Sequence, residues 1–282
     1  CIYGSKIVGV TVKAQNHMTT GNSMRIVCVH LYDDFSGSTN VFSQVLARLE
    51  SAGHDLTTIV ADFGEPGFVR ERWSVSTVPY SIHKSKLLTA FSYIWSQILT
   101  FFKVLCLCLF KRYDVVYVST VLPAGAVLAG WLSRTKVVVH SHEVGLGTRS
   151  LFVVTSAVVR RFASSIVCVS HFVADIMCWP QSKTVIVHNT LNAEIWEIAR
   201  TFSLANLRRA PSPRFKCAMA CSLRLYKGVD SFVSLASLLP DVDFELIVNC
   251  EQEELVAFTV TAETGLPTNL SLVRRPVSVL EH

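Results

Sequence analysis

The 282 residues are half apolar and 17% charged, which excludes a disordered chain and leaves room for two domains of ordinary size. The formal charge of +5 suits an anionic partner such as a nucleotide or an anionic membrane surface. With no dense Lys/Arg run and no RNA-binding signature, it does not point to nucleic acid. Nine cysteines without a C-x-x-C pair give no zinc spacing. Cys28, Cys168, Cys217 and Cys221 in strand-like runs, and Cys106 and Cys108 in a helical run, read as small buried hydrophobes in a reducing compartment.

Residues 1–23 read as an N-terminal extension outside the core, with one weak strand-like piece, KIVGVTVKA. No secretory signal is visible there. The globular pattern opens at Met24, the expected natural start unless the chain is a fragment. RIVCVH predicts a buried strand, STNVFSQVLARLESAG an amphipathic helix stopped at Gly53, and DLTTIVA a second strand. Leu87–Phe110 is long enough to cross a bilayer, for which ~20 apolar residues suffice. Ser92, Ser96, Gln97, Thr100 and Lys103 interrupt it, so it reads as a buried or membrane-facing helix rather than a span.

Strand DVVYVST, helix PAGAVLAGWLS, strand KVVVHSH, helix SLFVVTSAVVRRFA, strand SIVCVS, helix HFVADIM and strand KTVIVH come next. Such alternation predicts an α/β unit with a parallel sheet buried on both faces. The rhythm breaks over 201–214, with two prolines and three arginines, which reads as a linker. It resumes with strand FKCAMACS, helix GVDSFVSLASLLP, strand DFELIVN, helix EQEELVAFTVTAETG and strand NLSLV. The expected organisation is a Rossmann-like domain over 24–200, a linker over 201–214 and a second, incomplete Rossmann-like domain over 215–282.

Ligands of open parallel sheets bind beyond the carboxyl ends of the strands. Three such loops carry candidates. In HLYDDFSGSTN, Gly37 stands at a helix start, where backbone can approach an anion; a plain turn glycine is the alternative. In VVVHSHEVGLGTRS, His140, His142 and Glu143 stand at a strand end. A metal site there would need His171 or His188 and an acid cluster that is missing, and a dinucleotide loop at GLGTRS lacks its third glycine and its closing acid. A histidine that hydrogen-bonds a sugar, or a structural histidine, remains open. In ACSLRLYKGVD, Arg224 and Lys227 precede Gly228 at the start of a helix. Backbone N–H groups, a planar guanidinium and a point charge together make a socket for a diphosphate; an exposed basic loop is the alternative.

From Met24 to Val273 the chain resembles glycosyltransferase family 4, which has the two-domain GT-B fold. The stretch DVVYVSTVLPAGAVLAGWLSRTKVVVHSHEVG looks like that family's approach to a strand-end His–acid pair, SIVCVSHFVADIM like its serine-after-strand segment and VIVHNTLN like its interdomain turn. SLRLYKGVDSFVSLASLLPDVDFELIVN resembles its donor-phosphate motif, closest to a bacterial type making O-antigen or capsular polysaccharide. The resemblance implies a retaining, metal-independent hexosyltransferase that needs no cofactor. It uses a UDP- or GDP-linked sugar as donor and a lipid-linked saccharide as acceptor, in the cytoplasm or peripherally at the inner face of the membrane. Carried over, His142 is the active-site histidine and Glu143 its acidic neighbour, while Arg224, Lys227, Gly228 and Gly37 hold the donor diphosphate. The departures are one glycine in the first loop, a short Arg-to-Lys gap, and no counterpart of the family's paired glutamates, whose place is expected to lie past His282. A chain so shortened is expected to be inactive, as a truncated remnant would be. An NAD-dependent sugar-modifying enzyme is the rival class.

Overall fold

In the computed structural model, residues 23–62, 67–142, 144, 149–190, 193–201, 214–223, 227–248, 250, 258 and 265–274 are described. The chain divides into two compact units, Cys1–Thr190 and Leu191–His282. The N-terminal extension, the 202–213 part of the linker and nearly all of the expected helix EQEELVAFTVTAETG fall outside the described residues.

The first unit is built on a seven-stranded sheet in which every pair is parallel. Its strands are β1 (Arg25–Val29), β2 (Asp55–Asp62), β3 (Ser76–Pro79), β4 (Val115–Ser119), β5 (Lys136–Ser141), β6 (Ser165–Cys168) and β7 (Thr184–Ile186), in the order β3-β2-β1-β4-β5-β6-β7. The chain reverses direction across the sheet between β1 and β4, so the loops after these two strands open a crevice at the carboxyl edge. Helices α1 (Gly37–Ser51), α2 (Lys86–Lys111), α3 (Ala124–Leu132), α4 (Arg149–Phe162) and α5 (His171–Ile176) make the crossovers.

Because strand side chains alternate, each strand feeds two cores. Ile26 and Cys28 pack with Phe42 and Leu46 of α1. Val27 and Val29 face the opposite layer, joined by Val116, Val118, Val137 and Val139 and by residues of α2, α3 and α4. The edge strand β3 was not anticipated: it has four residues and ends in Pro79, which an edge tolerates.

Helix α2 is part of this fold, because Tyr93, Val104 and Cys108 belong to the core. Its one internal charge is also used: Lys103 Nζ donates to Ser76 Oγ at 2.7 Å and to Thr77 O at 2.6 Å, fastening α2 to β3. The rest of the helix is inverted relative to an ordinary surface helix. Ser96 and Thr100 are buried, whereas Phe91 is 69% and Phe110 82% exposed.

The second unit holds helix α6 (Ala193–Thr201), which the sequence reading did not assign, and β8 (Lys216–Cys221), α7 (Val229–Leu238), β9 (Asp243–Val248) and β10 (Leu270–Arg274). The three strands are parallel in the order β10-β9-β8. Phe244, Leu246 and Val248 pack against Val229 and Ala236 of α7. All eight described cysteines are free thiols. Cys28, Cys108 and Cys168 are buried as expected, but Cys106 is exposed because it falls on the outward face of α2, and Cys217 and Cys221 are only half-buried.

Candidate active site

Strand alternation places His30, Tyr117, Ser119, His140 and His142 on the α1 side of the sheet, at or just past the carboxyl ends of β1, β4 and β5. The register sets Ser119 opposite His140. The rings of His140 and His142 lie 4.1 Å apart, and His30 stacks at 5.2 Å against Phe42. Tyr117 Oη and His140 Nδ1 are 2.7 Å apart, and Ser119 Oγ and His142 Nε2 are 3.3 Å apart. His30 Nδ1 accepts the Tyr32 N–H at 3.0 Å.

Burial removes water from these imidazoles and so disfavours their charged form. It lowers the pKa of His30 and of His140 to about 4. His142 goes to about 3, through burial first and then repulsion from His140 and His30. At neutral pH the site therefore offers neutral hydrogen-bonding rings rather than cations.

Next to them, Thr120 has φ 75°, a left-handed conformation that is costly for a β-branched residue. The surrounding bonds hold it there: its N–H donates to His140 O at 2.8 Å and its Oγ1 accepts the Leu122 N–H at 3.3 Å.

The loop after β1 is fixed from one side. The buried Asp33 carboxylate accepts the N–H groups of Gly67, Val69 and Arg70 and the Arg70 Nε–H, the last at 2.8 Å. A Cβ on Gly67 would stand 2.5 Å from the Asp33 carbonyl carbon, so only glycine allows this approach. Asp34 Oδ1 accepts from Ser36 N at 3.1 Å and Thr39 Oγ1 at 2.6 Å, so the first turn of α1 already holds one carboxylate. Gly37 leads that turn, with nothing within 4 Å of the place its Cβ would occupy. It offers space and backbone rather than charge.

In the second unit, Gly228 takes φ 79° and ψ 24° and caps α7, a conformation that favours glycine. Lys227 immediately precedes it and is exposed. Its ammonium lies near the carboxyl end of β8, where it opposes the upward effect of burial on the Cys221 thiol. A lysine beside the unpaired N–H groups of a helix start is an anion-binding arrangement.

The structure thus groups His142 with His140, His30 and Ser119, and joins Lys227 to Gly228. Glu143 and Arg224 lie outside the described residues. His171 and His188, weighed as metal ligands, stand 6.4 Å apart, and among the described residues no three His, Cys, Asp or Glu side chains are grouped to hold a metal ion. The sequence reading missed His30, Tyr117, Ser119 and the Asp33–Arg70 anchor. The signal for the first three was the period of two along β1, β4 and β5.

The model of glycosyltransferase family 4 matches residues 35–195, more than half of the chain. The chain belongs to glycosyltransferase family 4. The matched region includes His142 and the whole of α2 to α5. No curated protein sequence matches this glycosyltransferase. Solved structures do. The sucrose-phosphate synthase of Thermosynechococcus elongatus is similar at 15% identity, with a TM-score of 0.60 over 89% of this chain and 70% of its own. The lipopolysaccharide outer core galactosyltransferase WaaB is 14% identical, with a TM-score of 0.58 over 89% and 68%. The UDP-GlcNAc 2-epimerase of Neisseria meningitidis is 12% identical, with a TM-score of 0.52 over 89% and 72%. At such identities the likeness shows the GT-B fold. That an epimerase shares it is a reminder that chemistry is set by the site and not by the scaffold.

Proposed function

We propose that this glycosyltransferase is a retaining, metal-independent hexosyltransferase that moves a sugar from a UDP- or GDP-linked donor to a lipid-linked saccharide in the synthesis of a cell-surface polysaccharide. The observation that carries the reading is the Lys227–Gly228 turn, an exposed cation set on a helix start at the carboxyl end of a parallel strand. Such a turn stabilises the charge that develops on a departing diphosphate. Arg224, three residues earlier, is assigned to the same diphosphate, with Gly37 as a close-approach position. That the Neisseria meningitidis epimerase was crystallised with UDP-GlcNAc supports a nucleotide-sugar donor.

During transfer the bond between the anomeric carbon and the β-phosphate oxygen breaks, and its electron pair stays on the diphosphate. The acceptor oxygen bonds to the same carbon and gives up its proton. His142, with its pKa held to about 3, is a weak base, whereas a phosphate has a second pKa of about 6. The leaving diphosphate is therefore the better proton acceptor. That favours approach of the acceptor from the leaving-group side, which retains configuration. His142 is left the role of a neutral hydrogen-bonding partner to the sugar, with Glu143 assigned to position it or the acceptor.

The lipid-linked acceptor and peripheral binding at the inner face of the membrane are supported by α2, whose exposed face is aromatic and aliphatic and whose flanks carry Lys84, Lys86, Lys111 and Arg112. A structural neighbour, WaaB, is a lipopolysaccharide outer core galactosyltransferase.

The test is incubation of the protein with UDP- and GDP-hexoses and membrane lipid extract in the presence of EDTA, with the product anomer read by NMR. In a full-length version, transfer with retention in EDTA is expected. Transfer that needs added divalent cation, or an inverted product, overturns the corresponding part of the reading.

A further inference from the structure

We propose that the groove between α2, α3 and α4 binds the hydrocarbon chain of the membrane-resident acceptor, with the lipid's head directed to the carboxyl edge of the seven-stranded sheet. The proposal rests on the reading of the first unit as the acceptor domain.

The groove holds about 640 Å³, within the range of about 300–1,000 Å³ usual for ligand sites. Gly125 and Leu128 of α3 form its floor, Ile98 and Phe102 of α2 one wall, and Leu151 and Val154 of α4 the other. A Cβ on Gly125 would stand 2.2 Å from Gln97 O, so the missing side chain is what lets α2 and α3 meet there. Three polar groups along the groove are used within the protein. Gln97 Oε1 accepts the Gly125 N–H at 3.1 Å, Thr155 Oγ1 donates to Phe152 O at 3.2 Å, and Tyr93 Oη donates to Leu122 O. What the groove presents is hydrocarbon, and a polar ligand would gain little from it.

The groove lies on the face of the sheet opposite that of His140 and His142 and shares with the site only the carboxyl edge. The floor begins at the start of α3, five residues after Ser119, and the α4 wall begins eight residues after His142. At the other side it opens onto the exposed face of α2, because Ile98 and Phe102 both line the groove and reach solvent.

Charge selects the occupant. The groove opens onto the segment Lys84–Arg112, whose ends expose Lys84, Lys86, Lys111 and Arg112 and which holds no Asp or Glu. Such a segment complements an anionic bilayer. A second copy docking through the same surface would bring like charge against like.

The experiment measures binding of radiolabelled geranylgeranyl phosphate by equilibrium dialysis, below the concentration at which the probe aggregates, for the full chain and three variants. Val154→Trp fills the groove from an exposed position. Ile98→Gln makes one wall polar without adding bulk. Phe172→Gln removes an equally exposed apolar side chain on α5, outside the groove. Saturable binding is expected, at least tenfold weaker in Val154→Trp and in Ile98→Gln and unchanged in Phe172→Gln. No saturable binding, or an equal loss in Phe172→Gln, overturns the proposal, as does a dimer seen by sedimentation that excludes the probe. Saturable probe binding in a protein that transfers no sugar from any donor would sink the transferase reading and leave the groove standing. Transfer to long-chain and chainless acceptors alike, without probe binding, would do the reverse.

Discussion

At the carboxyl edge of the seven-stranded sheet, three imidazoles are held neutral among buried side chains. At the carboxyl edge of the three-stranded sheet, a lysine ammonium stands exposed beside a helix start. Both edges obey the same rule of parallel sheets, yet the imidazoles of the first are neutral and the second exposes a cation. The first suits a sugar, whose hydroxyls need oriented donors and acceptors and no counter-ion. The second suits an anion. The difference lies in burial: His30 is 1% and His140 6% exposed, whereas Lys227 is exposed. A neutral site depends on the packing around it, and a cationic one depends on a single side chain.

The largest effect is expected where packing does the work. Asp33→Ala removes the acceptor of three N–H groups and leaves the Arg70 guanidinium, only 16% exposed, without this partner. Breaking such a buried pair costs about 3–5 kcal/mol. Chemical denaturation should show that loss in the first unit; a change under 1 kcal/mol would mean that the loop after β1 is held by something else.

In a full-length version, Lys227→Ala should lower turnover by at least ~100-fold, about 2.7 kcal/mol of transition-state stabilisation, while leaving stability within error. Unchanged kinetics would remove the diphosphate socket.

A further effect is graded with pH. His30 and His140 have folded pKa values of about 4 against 6.5 for the free side chain, so below pH 6.5 the unfolded chain binds more protons than the folded one. Stability is then full above pH 6.5 and falls as the pH drops toward 4, by about 1.4 kcal/mol per pH unit for each histidine. Denaturation midpoints measured from pH 7.5 to 4.5 should show this slope, and His140→Gln should reduce it. A flat profile would mean that the rings are hydrated and the contrast between the two edges is weaker than drawn.

Much of this was legible in the sequence. Short apolar runs such as RIVCV and KVVVHS are readable because a parallel sheet buried on both faces demands them. His142 and Lys227 stand out in the sequence because each lies just past the carboxyl end of an apolar run. Tyr117, Ser119 and His30 do not, because they meet His140 and His142 only once β1, β4 and β5 lie side by side, an adjacency that chain order hides. The Asp33–Arg70 anchor was likewise invisible, since its partners are separated by 37 residues. Edge strand β3 escaped because STVP is too short to show a period. Helix α2 was found, but that its Ser96 and Thr100 face inward while Phe91, Trp95 and Phe110 face outward is a property of how it packs and cannot be told from composition.

The division of labour between the two edges can be tested most directly by calorimetric titration of UDP and GDP into the wild-type protein, Lys227→Ala and His142→Ala. The account predicts that the preferred nucleotide binds at least tenfold more weakly to Lys227→Ala and within twofold of wild type to His142→Ala, which loses turnover alone. Nucleotide binding that survives loss of Lys227 and disappears with His142 would contradict it.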